Sequence, residues 1–283
     1  MNRIKDLSAI TAKNPILLLG CGKMGSAMLS GWLEQGLSAD GVYIVDPYLD
    51  PVRAAFSFLP ETAFKDTLNA LDHTIAPSFI IMAVKPQMMD EAAVALQSLN
   101  IENSVILSVA AGKTIHYFED QLSKDQAIIR AMPNTPAAIG KGITVCCANN
   151  LVGQDQKDIC STLLETIGTV EWISDESLMD GVTALSGSGP AYVFYMVEAM
   201  AAAGVSIGLP AELSYKLARE TVSGAGALLD VSDESATTLR ENVTSPGGTT
   251  AAALDVLMSD DGIATLMRRA MQDAKARSKE LAG

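Results

Sequence analysis

The run Gly20-Cys21-Gly22-Lys23-Met24-Gly25 has the glycine spacing of a turn that holds phosphate. It follows the apolar run Ile16–Leu19 and opens an amphipathic stretch over 24–35, so it joins a strand to a helix. Gly20 permits the tight turn, Gly22 lets backbone approach a pyrophosphate, and Gly25 lets the helix pack on the strand. Lys23 and Met24 sit where the free N–H groups of the helix start would meet the anion. Asp46 closes the next apolar run, Val42–Val45. A carboxylate there accepts hydrogen bonds from the adenosine ribose and repels the extra phosphate of NADP, which leans the cofactor towards NADH over NADPH. Arg53 is close enough in sequence to swing in and soften that repulsion. A plain turn residue before Pro47 is the simpler reading of Asp46.

Further polar loops follow apolar runs. Ala83-Val84-Lys85-Pro86-Gln87 ends the run Phe79–Val84, where strand ends face ligand in a doubly wound sheet. Pro86 fixes that turn and Lys85 offers charge to cofactor or substrate. Arg130-Ala131-Met132-Pro133-Asn134-Thr135-Pro136 is stiffened by its prolines, and Asn134 brings both a donor and an acceptor to the nicotinamide end. Ser186-Gly187-Ser188-Gly189-Pro190 reads as a tight bend between helices. In Val243-Thr244-Ser245-Pro246-Gly247-Gly248-Thr249-Thr250, glycines free the backbone while Ser245, Thr249 and Thr250 bring hydroxyls to the start of a helix. That suits a carboxylate, although plain helix capping is the alternative.

Positioning these loops requires a particular order of elements. Short apolar runs at 16–19, 42–45, 79–84, 105–109, 127–131, 143–147 and 170–173 predict strands. Amphipathic stretches at 24–35, 88–99, 115–122 and 154–167 predict helices between them. Strands alternating with helices argue for parallel strands with right-handed crossovers. After Trp172 the pattern is helical throughout, over 177–185, 191–205, 211–229, 236–242, 249–258 and 263–281. The expected architecture is an α/β domain with a doubly wound, mostly parallel sheet over residues 1–174, then an all-α domain over 175–283. So short an Ala- and Met-rich helical half is expected to bury its apolar faces against a second subunit.

Composition narrows the partners. The 283 residues carry 20 Lys+Arg against 33 Asp+Glu, a net charge of −13, so a nucleic-acid surface is not expected. The four cysteines form no CxxC pair and the two histidines are far apart, so neither a disulfide scaffold nor a metal site is expected. No apolar window approaches the length of a membrane span, and the alternating polar and apolar residues of 1–14 are not expected to act as a secretory leader. A cytoplasmic protein is the expectation.

Together the motifs resemble the pyrroline-5-carboxylate reductase family. The resemblance rests on the segments at 20–25, 83–87 and 130–136, on Thr-Ala-Leu-Ser-Gly-Ser-Gly-Pro-Ala-Tyr at 183–192, and on Leu-Arg-Glu-Asn-Val-Thr-Ser-Pro-Gly-Gly-Thr-Thr at 239–250. It implies a Rossmann domain followed by a helical dimerisation domain, with dimers often assembling into decamers. It implies reduction of 1-pyrroline-5-carboxylate, a small cyclic imino acid, to L-proline by NADPH or NADH, the last step of proline synthesis. The active site would lie between domains and be completed by the partner subunit. Ser245, Gly247, Gly248, Thr249 and Thr250 match the family's substrate-carboxylate loop. Thr250 falls where a hydroxyl is proposed to hydrogen-bond the ring nitrogen and help deliver its proton. Two positions depart from the family pattern: Asp46, where small polar or basic residues and NADPH are common, and Lys113, where apolar residues are common.

Other classes remain open on sequence alone. A reductase of an isomeric cyclic imine fits the same motifs. A β-hydroxyacid dehydrogenase would want a lysine on the interdomain helix, and residues 176–205 contain none. A non-catalytic dinucleotide-binding regulator would keep the glycine turn but need no carboxylate loop.

Overall fold

The computed structural model describes residue 7 and residues 10–282. One sheet of eight strands organises the first part: β1 (Ile16–Leu19), β2 (Val42–Val45), β3 (Phe64–Lys65), β4 (Phe79–Met82), β5 (Val105–Ser108), β6 (Ala127–Met132), β7 (Gly142–Ala148) and β8 (Gly168–Trp172). Their order is β3-β2-β1-β4-β5-β6-β7-β8. All neighbours pair in parallel except β6 and β7, which run antiparallel. All seven predicted strands are present. The eighth, β3, is two residues long and leaves no periodic signal in the sequence.

Period-two alternation sends each strand's side chains to opposite faces. Ile16, Leu18, Ile44, Ile81 and Leu107 enter one core, whereas Leu17, Leu19, Val45, Ile80 and Ile106 enter the other. The first core is covered by α1 (Lys23–Glu34) and α5 (Gln154–Glu165), through Met28, Trp32 and Leu163. The Trp32 indole donates to the Leu163 carbonyl at 2.8 Å, joining these two helices. The second core is covered by α3 (Met89–Leu96) and α4 (Ile115–Gln121), through Met89, Leu96 and Phe118. Helices on both faces make the sheet doubly wound. A short helix that sequence periodicity does not show, α2 (Leu49–Ala55), links β2 to β3.

The chain divides into two compact units, one of residues 1–187 with 275–283 and one of residues 188–274. The cut expected at 174 falls just after β8; the first unit continues through α6 (Met179–Val182) and a π-helical turn, Thr183–Gly187. It also takes back the end of α11 (Ile263–Ala282). There Ser278 donates to Asp180 Oδ1 at 2.7 Å. The second unit holds α7 (Gly189–Ser206), α8 (Ala211–Val231), α9 (Ala236–Asn242), α10 (Thr249–Leu257) and the first part of α11. Gly204 lets α7 approach α8, since a Cβ there would lie 2.8 Å from Ser214 Oγ. Otherwise these helices bury little: α7 has no buried residue, and Phe194, Tyr195 and Val256 are 62%, 69% and 71% exposed. Among the described residues, no helix is long and apolar enough to cross a membrane.

Candidate active site

The glycine turn sits where β1 leaves the sheet. Gly20 has φ +90° and donates to the Val45 carbonyl at 2.9 Å. A Cβ on Gly20 would lie 2.8 Å from the carbonyl carbon and oxygen of Ala83, so the turn and the loop after β4 are in backbone contact. A Cβ on Gly25 would strike the Gly20 carbonyl oxygen, which is why α1 can start so close to the strand. Gly22 differs: a Cβ there meets nothing within 4 Å. It is the N-cap of α1, and no side chain caps the helix. Exposed N–H groups beside open space are what a pyrophosphate needs. Lys23 is exposed at that helix start, whereas Met24 packs against the core.

Asp46 uses both carboxylate oxygens within the protein. Oδ2 accepts from the Cys21 N–H at 2.7 Å and Oδ1 from the Tyr48 N–H at 2.8 Å. The turn reading and the cofactor reading therefore meet in one residue, because the carboxylate closes its own turn and ties it to the glycine loop. Arg53 has not swung in. Its guanidinium pairs with Glu61 at 2.6 Å and lies over the Phe64 ring.

Between the ends of β2, β3 and β4 opens an apolar slot of about 280 Å³. Leu19, Val45, Pro47, Leu68, Val84 and Met88 form its apolar walls, with Asp66, Thr67, Asn69 and Glu91 as its polar lining. That lining suits an apolar ring with a polar edge. Val84 reaches the slot, Ala83 touches Gly20, and exposed Lys85 caps the short turn that Pro86 begins. Sequence reading missed Asp66, Thr67, Leu68, Asn69 and Glu91. The first four follow β3, whose two residues are too few to detect, and Glu91 lies in α3, where the helical pattern does not show which residues face the slot. The residues present fit a dinucleotide: open backbone at Gly22, an uncapped helix start and an apolar slot along one sheet edge.

The second polar loop lies in the helical unit. Gly247 has φ +70° and open space around it, and Gly248 is the N-cap of α10 with no side-chain cap. The Gly248 N–H is used by the Ser245 carbonyl at 3.0 Å. The first N–H donating back along the helix is that of Ala252, to the Gly248 carbonyl. The N–H groups of Thr249, Thr250 and Ala251 thus begin the helix with Thr250 half-buried beside them. Because no hydroxyl caps the helix, Ser245 and Thr249 remain free of the capping role that was the alternative reading.

Residues 176–281 match the family described as pyrroline-5-carboxylate reductase dimerisation, and residues 15–112 match the one described as NADP oxidoreductase, coenzyme F420-dependent. A pyrroline-5-carboxylate reductase of Haemophilus influenzae is 34% identical over 267 residues, covering 94% of this chain and 97% of that protein. The solved pyrroline-5-carboxylate reductase of Coxiella burnetii is 32% identical with a TM-score of 0.84, covering 96% of this chain and 99% of that one. The Plasmodium falciparum enzyme, solved with NADP bound, is 27% identical with a TM-score of 0.76, covering 96% of this chain and 100% of that one. The chain belongs to the pyrroline-5-carboxylate reductase family. It is an oxidoreductase of the NAD(P)H-dependent class to which that family's proline-forming reaction belongs.

In this family member the motif at 130–136 has several tasks. Asn134 is half-buried; its Oδ1 accepts from the Ile143 N–H at 3.0 Å, and its amide reaches the Ser186 carbonyl at 3.4 Å. A Cβ on Gly187 would run into the Met132 side chain. The motif at 130–136 and the π-helical turn Thr183–Gly187 therefore pack on each other. The tight bend expected at 186–190 falls at Ser188, between the π-helical turn and α7, and just before it Gly187 lies close against Met132 of β6. Arg130 is buried and pairs with Glu176 at 2.8 Å. Lys113 also finds its partners: it pairs with Asp90 at 3.0 Å and lies 3.9 Å from the centroid of the Tyr117 ring. The Tyr117 hydroxyl donates to the same Asp90 oxygen, which holds the Asp90 carboxyl below its usual range. Lys113 thus joins the loop after β5 to the start of α3.

Cys21, inside the glycine turn, is a buried thiol. Burial, and secondarily the Asp46 charge, push its pKa up to about 12. Since the thiolate is the reactive form, Cys21 is expected to resist iodoacetamide at pH 8 in the folded protein and to react once it is unfolded. Mass spectrometry of labelled peptides reads this directly, and labelling of native Cys21 at the rate of a free thiol would refute it.

Proposed function

We propose that this chain reduces 1-pyrroline-5-carboxylate to L-proline, with the cofactor on the Gly20–Gly25 turn and the substrate carboxylate on the Ser245–Thr250 loop. The observation that carries the reading is the pair of uncapped helix starts, at Gly22 and at Gly248, each with a glycine that keeps the backbone open to an anion. NAD(P)H bound at the first supplies the hydride for the imine carbon. Gly20, Gly22, Lys23, Met24 and Gly25 hold its pyrophosphate end, and Asp46 the adenosine ribose. Ala83, Val84, Lys85 and Pro86 wall the cofactor's path, with Asn134 fixing the stiff loop at the nicotinamide end. The N–H groups of Thr249 and Thr250 take the substrate carboxylate, helped by Ser245, Gly247 and Gly248. The Thr250 hydroxyl orients the ring nitrogen and relays a proton to it from water.

Holding the substrate by its carboxylate orients the imine carbon for hydride transfer, which turns an encounter into an oriented reaction. Dimerisation completes the picture. The exposed apolar side chains of α7, α8 and α10 belong to the region matched as a dimerisation family, and a homodimer covers them. Residues 1–174 then form the cofactor domain and 175–283 the dimerisation and substrate domain. Assembly beyond the dimer, as in a decamer, and a cytoplasmic location follow from the family resemblance.

The deciding assay follows loss of reduced cofactor with pyrroline-5-carboxylate as substrate. Turnover is expected, and its absence with both NADH and NADPH would refute the reading. Thr250→Ala is expected to leave the melting temperature unchanged and to lower kcat about 10- to 100-fold, the worth of one hydrogen bond to a charged group. Thr250→Ser should recover most of the loss. A Thr250→Ala enzyme with full kcat would remove the hydroxyl from the mechanism.

A further inference from the structure

We propose that Glu61 and Asp66, residues with no assigned role, join Asp46 in selecting NADH over NADPH. The inference rests on the reading of the slot between β2, β3 and β4 as the adenosine site. An extra phosphate on the adenosine ribose would lie at the carboxyl end of β2, beside Asp46. Nucleotide sites that accept that phosphate answer it with Arg or Lys. Here neither Lys nor Arg is among the described residues lining the slot, whereas Asp66 and Glu91 are. Asp46 is committed to the site by its hydrogen bonds from Cys21 and Tyr48, so it cannot rotate away without freeing the glycine turn.

Arg53 is the cation best placed to reverse this balance, since it lies in the helix that follows Asp46. It is held elsewhere: Glu61 takes both its Nη2, at 2.6 Å, and its Nε, at 2.9 Å, and Phe64 lies beneath the guanidinium at 5.8 Å. Neither Glu61 nor Phe64 is among the described residues lining the slot, so the clamp engages the Arg53 guanidinium with groups outside it. Lys65, next in the chain, pairs with Val45 and is not part of the slot lining. Glu61 is thus a positioning residue acting through Arg53, and Asp66 acts on the ribose phosphate by its charge.

The test compares kcat/KM for NADH and NADPH in the full-length enzyme and three variants. The wild type is expected to favour NADH by about tenfold or more, two or more like charges facing the added phosphate. Glu61→Gln should raise the NADPH-to-NADH ratio about two- to fivefold, because an exposed ion pair holds a side chain only weakly. The double variant Glu61→Gln/Arg53→Gln should return the ratio to the wild-type value, which a merely structural role for Glu61 would not produce. Asp66→Asn should raise the ratio about fivefold. A wild type that favours NADPH, or ratios unmoved by Glu61→Gln and Asp66→Asn, would overturn the proposal. Fluorescence titration of each cofactor without imine separates this failure from a deeper one. Binding of both with NADPH the tighter refutes the selection alone, whereas binding of neither refutes the adenosine site with it.

Discussion

Gly20→Ala is expected to cost the chain much of its stability, whereas Gly22→Ala is expected to cost it only its nucleotide. Both residues belong to one turn, and their surroundings differ. At Gly20 the backbone has φ +90°, and a methyl group would sit 2.8 Å from main-chain atoms of Ala83 and 2.9 Å from the Val84 nitrogen. Left-handed strain costs about 1–3 kcal/mol for a residue with a Cβ. Forcing a methyl into packed backbone adds about 1–3 kcal/mol more, since no flexible side chain is there to move aside. Together they take a large share of the about 5–15 kcal/mol that stabilises an ordinary domain. At Gly22 φ is −71°, which alanine adopts freely, and nothing lies within 4 Å. On the proposed reading, a methyl group there projects into the space that the pyrophosphate would occupy. Each lost hydrogen bond to the anion costs about 1.5–3 kcal/mol, or about ten- to a hundredfold in Kd. Thermal melts and NADH fluorescence titrations of the two variants distinguish these costs. A Gly22→Ala protein that binds NADH as tightly as the wild type would show that the turn does not carry the cofactor.

The sequence reveals those parts of the site that rest on local rules. The glycine turn, the strand before it and Asp46 after the next strand are all read from spacing, because each occupies a fixed place in one strand–turn–helix unit. The helix start at Thr249 is legible for the same reason. What local rules do not carry is the use of one residue by several partners. Asp46 reads as either a turn residue or a ribose ligand, whereas its two oxygens hold Cys21 and Tyr48 at once. The slot is invisible because its lining comes from the segment after β3 and from α3 as well as from β1 and β2, and β3 is two residues long. The antiparallel pairing of β6 and β7 is likewise hidden. Thr135–Ile139 forms a short 3-10 turn between them, too brief for the crossover that a parallel pair needs. Lys113 looks anomalous in sequence and is ordinary in space, since Asp90 and Tyr117 lie on elements that only the fold brings together.

Arg130→Met is expected to be the most destabilising change outside the glycine turn. Arg130 lies in β6 and opens the motif at 130–136, and its side chain is 5% exposed. Its Nη1 meets Glu176 Oε1 at 2.8 Å, and the same oxygen accepts from the Ile115 N–H at 2.9 Å. One carboxylate thus joins the end of β6, the first turn of α4 and the short turn leading into α6. Removing one partner of a buried pair leaves the other charge desolvated and costs about 3–5 kcal/mol. Glu176 keeps some water contact, with 27% of its side chain exposed, which argues for the lower end of that range. About 3 kcal/mol in a domain of this size lowers Tm by about 6–12 °C. Glu176→Gln in the Arg130→Met background removes the stranded charge and keeps an acceptor for Ile115, so it should restore part of the loss. Differential scanning calorimetry on the single and double variants measures both effects. If the double variant melts below Arg130→Met, the carboxylate is not the source of the penalty. If Arg130→Met melts with the wild type, the pair contributes nothing to the fold, and the arginine of this motif would then have to be sought among the groups that meet substrate.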